Sequence, residues 1–243
     1  MKIAAIVQAR MNSTRLPGKV LQEVLGKPLL RYQLERVKES AFISDLIVAT
    51  SVSAADDPIA ALCQSLGVNF YRGSESDVLE RYYEAALQSG ADIVVRLTGD
   101  CPLHDPGIID QVIQAYLDSP ASCDYVSNTL QRTFPRGLDT EVFSIDALTK
   151  AHAEAFEETD REHVTPYIYR HPDSFEILQL TNRQDWSRYR LTVDTPEDFQ
   201  LIRLILEALC PSNPLFGMED ILQLLDQNKD WSRLNSHIEQ KKW

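Results

Sequence analysis

The chain has 243 residues, 44 % hydrophobic and 25 % charged, the balance of a soluble globule long enough to bury a core without disulfides or a structural metal. Its 24 basic and 36 acidic residues leave a net charge of -12, a surface that repels a nucleic-acid backbone, and no basic patch offsets it. The four cysteines include no C-x-x-C pair, no apolar run is long enough to span a bilayer, and no secretory pattern opens the chain, so a reduced cytoplasmic protein is expected, with neither nucleic acid nor membrane as partner.

The apolar run Ile3 to Val7 predicts a buried parallel strand, followed by a polar loop from Arg10 to Lys19. Its Asn12-Ser13-Thr14 matches a glycosylation sequon, which a cytosolic location makes irrelevant. Pro28 to Ser40 predicts a helix, with Leu29, Leu30, Leu34 and Val37 on one face. Asp45 to Thr50 predicts a strand. Asp57-Pro58 opens a helix to about Leu66, ended by Gly67. Val68 to Tyr71 predicts a strand, Asp77 to Gln88 a helix closed by Gly90, Asp92 to Leu97 a strand and Pro106 to Leu117 a helix. This alternation implies an α/β fold, a mostly parallel sheet with helices on both faces.

Beyond Ser119 the pattern is less regular. Tyr125 to Asn128, Thr140 to Phe143, Phe175 to Leu180 and Tyr189 to Val193 predict strands, and Ile145 to Phe156 and Arg161 to Arg170 predict helices. Thr195-Pro196-Glu197 is a helix start, with Thr as N-cap and Pro in the first turn; that helix runs to about Leu209. Met218 to Asp226 predicts another. No linker or repeat divides the chain, so 1–243 is read as one domain, a core of about 1–209 and a helical appendage of about 210–243.

Ligands of parallel α/β sheets bind outside the carboxyl ends of the strands. Three loops fall there, Arg10–Lys19, Arg72–Asp77 and Thr98–Pro106, and are expected to build one site. The first holds three cations, Arg10, Arg15 and Lys19, among small hydroxyl residues, Pro17 and Gly18. Backbone N–H groups and cationic side chains in such a loop converge on polyphosphate oxygens, although Walker A spacing is absent. A charged surface loop is the plainer alternative.

Asp100 ends an apolar strand and is followed by Cys101-Pro102, a place suited to holding Mg²⁺; capping the helix near Asp105 would explain it equally well. Asp194 also ends an apolar strand, and Thr195 already fills the cap position, which leaves Asp194 for another task. Together the two carboxylates would face the cationic loop as a metal–triphosphate site. Downstream, Arg136-Gly137-Leu138-Asp139-Thr140-Glu141 and Asp160-Arg161-Glu162-His163 cluster charge without metal-ligand spacing. His163 reads as a structural or dimer-contact histidine more readily than a catalytic one. Cys101 is no nucleophile, because the neighbouring carboxylate raises its thiol pKa.

These motifs carry a resemblance. Ala9-Arg10, Ser13-Thr14-Arg15-Leu16-Pro17-Gly18-Lys19 and Gly26-Lys27-Pro28-Leu29 resemble the N-terminal signature of the CMP-sugar synthetases, the 3-deoxy-manno-octulosonate and acylneuraminate cytidylyltransferases. Val193 to Asp198 resembles their C-terminal metal motif. Tyr71-Arg72-Gly73, Asp77 to Tyr82, Arg96 to Pro102, Arg136 to Phe143 and Arg161 to Pro166 are most similar to the spore coat polysaccharide biosynthesis protein F branch. The resemblance covers the chain to about Ile205. Ser74-Glu75-Ser76-Asp77 departs from the Ser-Gly-Thr of the octulosonate enzymes, and Cys101 stands where they carry an acid.

The resemblance implies a nucleotide-diphosphosugar transferase fold, Rossmann-like and of GT-A type, with a mixed extension. It further implies CTP, Mg²⁺, a small acidic acceptor and a homodimer. By resemblance Arg10, Arg15 and Lys19 hold the triphosphate, Ala9, Asn12, Ser13, Arg72 and Thr98 complete the nucleotide site, and Asp100 and Asp194 bind Mg²⁺. The acceptor is expected at Arg136, Asp139, Glu141, Arg161 and His163, where the remaining charges cluster. The expected reaction transfers CMP from CTP to a sugar acid of nonulosonate or octulosonate type, for surface polysaccharide. The alternatives are a nucleotide-sugar glycosyltransferase, which the missing Asp-x-Asp at Asp100 argues against; a cytidylyltransferase acting on a phosphonate or other non-sugar acceptor; and a non-catalytic nucleotide-sensing subunit.

Overall fold

The computed structural model describes residues 1–239; the last four residues of the expected appendage lie outside that range. Seven strands form the main sheet. They are β1 (Ile3–Gln8), β4 (Asp45–Ser51), β5 (Asn69–Gly73), β6 (Ile93–Thr98), β7 (Cys123–Ser127), β8 (Glu141–Ser144) and β9 (Glu176–Gln179), in the spatial order β5-β4-β1-β6-β8-β7-β9. The strands β5, β4, β1 and β6 are mutually parallel, β8 runs antiparallel to both β6 and β7, and β9 returns parallel to β7. Two short strands, β2 (Glu23–Val24) and β3 (Lys27–Pro28), form a separate hairpin. The mostly parallel sheet with a mixed extension is the expected one.

The helices divide between the two faces. Odd residues of β1, Ile3, Ala5 and Val7, pack against α1 (Leu29–Val37), α2 (Asp57–Ser65) and α4 (Pro106–Leu117). Even residues, Ala4 and Ile6, meet α3 (Val78–Ser89), α5 (Ile145–Glu154) and, through Ile168, α7 (Pro166–Arg170). Successive strand residues point to opposite faces, so a strand buried on both sides reads as an unbroken apolar run. A third core joins α8 (Pro196–Leu209) to α9 (Met218–Gln227) through Leu201, Ile202, Ile205, Ile221, Leu222 and Leu225, with Phe216 between them. The segment expected as an appendage is therefore packed into the body.

Two predicted elements form differently. Arg161 to Arg170 is two short helices, α6 (Glu158–His163) and α7, because Val164 takes a φ of 73° and Pro166 restarts the helix. A positive φ at a β-branched residue is strained. Tyr189 to Val193 is not a strand. It makes a single bridge, Arg136 with Arg190, and then changes partner: Leu191 N–H donates to the carbonyl of Arg136, but Val193 N–H donates to that of Asp100. A segment that crosses from one neighbour to another has no ladder to join.

Candidate active site

The chain reverses direction across the sheet on either side of β1, which places the ends of β1 and β6 side by side. Gln8 pairs with Thr98, and the next residue, Gly99, donates its N–H to the Gln8 carbonyl at 2.8 Å. A Cβ on Gly99 would stand 2.7 Å from that carbonyl oxygen, so only glycine lets the two loops leave the sheet in contact. Gly137 plays the same part further round. It has a φ of 101°, and a Cβ there would lie 2.5 Å from the backbone of Leu191. That approach lays the Arg136 segment along the 190–194 segment, which leads to Asp194.

These contacts enclose a cleft of about 320 Å³ whose lining includes Ala9, Arg10, Asn12, Ser13, Arg15, Lys19, Thr98, Asp100, Arg136, Asp139, His163 and Asp194. Twelve residues singled out in the sequence thus meet at one place. Three do not line it. Arg72 donates to the carbonyls of Ser51 and Ser53 and pairs with Asp57 at 2.7 Å, anchoring the turn after β4. Arg161 makes a bidentate pair with Asp77 and donates to the carbonyl of His152, tying α6 to the start of α3. Glu141 is buried beneath the cleft, where Arg96, Tyr125 and Thr165 donate to it. The loop Arg72–Asp77, expected as a third wall, meets the first loop where Asn12 Nδ2 donates to Glu75 at 2.8 Å, and none of its residues lines the cleft.

The charges at the centre are close. Lys19 Nζ lies 3.2 Å from Asp100 Oδ2 and 2.8 Å from Asp194 Oδ1. Arg15 sits 3.0 Å and Arg190 2.7 Å from the other oxygen of Asp194. Burial alone would lower the Lys19 pKa, but Asp100 and Asp194 outweigh it and raise it. Burial alone would raise the Asp100 carboxyl, but Lys19, with a bond from Thr98, holds it down at about 2. Lys19 is thus ammonium and Asp100 carboxylate at neutral pH.

On the opposite wall, Asp139 takes both guanidinium nitrogens of Arg132, at 2.5 and 3.0 Å. Arg136 differs: burial, and then the neighbouring Arg132, lower its pKa, and its guanidinium makes no hydrogen bond or ion pair among the described residues. At the mouth Arg10 pairs with Glu162 at 3.6 Å. Burial lowers the His163 pKa, so its imidazole is neutral near pH 7. Burial, and then Asp100, push the Cys101 thiol well up, as expected.

Several lining residues carried no role in the sequence reading: Gln8, Arg81, Arg96 and Glu162. Arg96 and Arg190 each had a legible signal, an arginine inside an otherwise apolar run. Arg190 also stands four residues before Asp194 and eight before Asp198, both of which it binds.

Comparison with known proteins places this geometry. The family model described as cytidylyltransferase matches residues 4–239. An uncharacterized protein of Methanocaldococcus jannaschii is 41 % identical over all of this chain and 98 % of its own length. The spore coat polysaccharide biosynthesis protein SpsF of Bacillus subtilis is 36 % identical over 94 % of this chain and 95 % of its own. The solved structure of a cytidylyltransferase from Leptospira borgpetersenii superposes with a TM-score of 0.91 at 34 % identity, covering 100 % of this chain and 99 % of that one.

Proposed function

This chain belongs to the cytidylyltransferase family of nucleotidyltransferases, and from that premise we propose that it transfers CMP from CTP to a sugar acid of nonulosonate or octulosonate type, releasing pyrophosphate. The observation that carries the reading is Lys19 held between Asp100 and Asp194, with Arg136 on the same cleft making no ion pair among the described residues. One side of the cleft suits a triphosphate and the other an organic anion. The likeness to the SpsF protein supports an activated sugar acid destined for surface polysaccharide.

In the reaction the acceptor oxygen forms a bond to the α-phosphorus, the bond to the bridging oxygen breaks, and pyrophosphate leaves in line. The acceptor proton departs to water or to the neutral imidazole of His163. Catalysis here is positioning plus stabilisation of charge. Lys19, Arg15 and Arg10 meet the negative charge that grows on the departing pyrophosphate, and Thr98 and Ala9, which line the same cleft, flank the nucleotide. Arg136 orients the acceptor through its carboxylate.

The site fits Mg²⁺. Mg²⁺ takes one or two carboxylates and fills the rest of its shell with phosphate oxygens and water, so it needs no preformed cage, and among the described residues none exists. Two carboxylates from different segments converge on one cationic point, now held by Lys19 Nζ. Asp100 and Asp194 would hold the ion, which would supply charge neutralisation at the α-phosphate.

Pyrophosphate release tests the reading. CTP, ATP, GTP and UTP are each offered with an octulosonate, a nonulosonate, a simple phosphonate or no acceptor. Release from CTP with a sugar acid alone is expected. Release with the phosphonate alone would move the acceptor class. Release with no acid under any condition, beside hydrolysis or transfer from a nucleotide sugar, would overturn the proposal in favour of a glycosyltransferase.

A further inference from the structure

The geometry points to Asn235, far along the chain from the cleft residues and outside the cleft lining, as the positioning residue that holds Asp194 in place. The inference rests on the reading of Asp194 given above.

Asn235 is 2 % exposed. Its Nδ2 donates to the carbonyl of Arg190 at 2.9 Å and to Asp198 Oδ1 at 2.8 Å. Both partners are pure acceptors, so the orientation of the amide is fixed by chemistry. Asp198 is wholly buried. Besides Asn235 it accepts from Arg190 Nε at 2.9 Å, from the N–H of Asp194 at 3.0 Å and from that of Thr195 at 3.1 Å. Arg190 in turn donates to Asp194 Oδ2 at 2.7 Å. Asp194 is therefore gripped twice from behind, at its backbone by Asp198 and at its carboxylate by Arg190. Asn235 is the neutral clamp that joins those two supports.

The charges show why a neutral donor belongs there. Arg190 is shared between Asp198 and Asp194, and Arg15 and Lys19 supply the remaining cations against Asp194 and Asp100, so a further cation or carboxylate at position 235 would unbalance a buried cluster. An amide adds one donor to Asp198 and one to the Arg190 carbonyl without adding charge. Its own backbone is set by a turn: Leu234 N–H donates to the carbonyl of Trp231, and Ile238 N–H donates to that of Asn235. Trp231 and Leu234 pack on the third core. Through the Asn235 side chain the C-terminal segment thereby reaches the Arg190–Asp198 pair behind Asp194.

The test compares Asn235→Ala, the isosteric Asn235→Asp, Asp194→Asn and a control, Leu225→Ala, which opens the same C-terminal core at a residue with no polar contact. CTP affinity is measured by calorimetry in saturating Mg²⁺, well below each melting temperature. Asn235→Ala is expected to bind CTP about tenfold more weakly, the scale of one lost bond to a charged group. Asn235→Asp is expected to lose at least as much although it fills the same volume. Leu225→Ala is expected to melt earlier and bind CTP normally. Wild-type affinity in both Asn235 variants, or an equal loss in Leu225→Ala, would overturn the inference. Wild-type affinity and turnover in Asp194→Asn would overturn the reading of Asp194 and this inference with it. Should the Asn235 variants not fold, the reciprocal coupling decides: Asp194→Asn should hasten, and CTP on the wild type should slow, amide exchange at Ile238. No change in either direction would overturn the proposal.

Discussion

The ammonium of Lys19 lies 2.8 Å from the carboxylate of Asp194, a residue 175 positions away in the chain. That contact joins the loop after the first strand to the segment before α8, and Asp100 closes the triangle at 3.2 Å. Lys19 is buried, so its charge depends on these two partners, and that of Asp100 depends on it.

Lys19→Met keeps the stem and removes that charge. Turnover should fall at least ~10²-fold, because a charge-assisted contact to the leaving pyrophosphate is lost. The variant should also gain more thermal stability from added Mg²⁺ than the wild type does, since two carboxylates are left without their ammonium. Calorimetric scans with and without Mg²⁺ check the second point; equal shifts in both proteins would count against the shared cation site.

The two carboxylates should separate by stability. Both Asp100→Asn and Asp194→Asn should lose Mg²⁺-dependent turnover, and wild-type turnover should vanish in EDTA and return with Mg²⁺. Asp194 carries Lys19, Arg15 and Arg190 at once with a side chain 9 % exposed, against 25 % for Asp100. Replacing Asp194 should therefore cost about 3 kcal/mol or more of folding stability, and replacing Asp100 about 1 kcal/mol. Denaturant titrations that reverse this order would show that the strain lies elsewhere.

Acceptor recognition should depend on Arg136 and not on Arg161. Arg136→Lys keeps charge but loses the planar fork, so the acceptor KM should rise about tenfold while CTP affinity holds. Arg161→Lys breaks the pair with Asp77 and should lower the melting temperature with little change in KM. Glu141→Gln should behave as a core variant, because Arg96, Tyr125 and Thr165 all rest on that carboxylate. A selective acceptor defect in Arg161→Lys would reinstate that residue as a contact.

The thiols should be quiet in the folded protein. Burial, and then Asp100, raise Cys101 well above the ordinary thiol value, and burial takes Cys63 up to about 12. Both are protonated at pH 8, and only a thiolate alkylates quickly. Iodoacetamide at pH 8 should label neither until the protein is denatured, as mass spectrometry of digests can read. Fast labelling of native Cys101 would refute its assigned environment.

Local pattern alone located most of the elements. The apolar runs at Ile3 and Ile93 pointed to a doubly covered parallel sheet, and Thr195-Pro196 to a helix start, which the structure completes with a capping box from Asp198. The same parallel topology directed attention to the strand ends, where Arg10, Arg15, Lys19 and Asp100 were legible as charges in the loops that face a ligand; Asp194 was legible as an acid beside a cap position that Thr195 already fills, although the segment leading to it is not a strand.

What only tertiary structure decided was the use of charges whose partners are distant in sequence. Arg72, Arg161 and Glu141 look like binding groups in the chain, but Asp57, Asp77 and Arg96 satisfy them elsewhere. Arg136 lines the cleft and has no such partner among the described residues. Tyr189 to Val193 has the composition of a strand, yet the close approach at Gly137 routes it between Arg136 and Asp100. Asn235 carries no local signal, because one amide donor acquires meaning only beside the Arg190–Asp198 pair that folding brings to it. Backbone patterning is set by neighbours a few residues away and can be read in sequence; the fate of a charge is set by whichever opposite charge the fold delivers within about 3 Å, and that is settled only when the chain has closed.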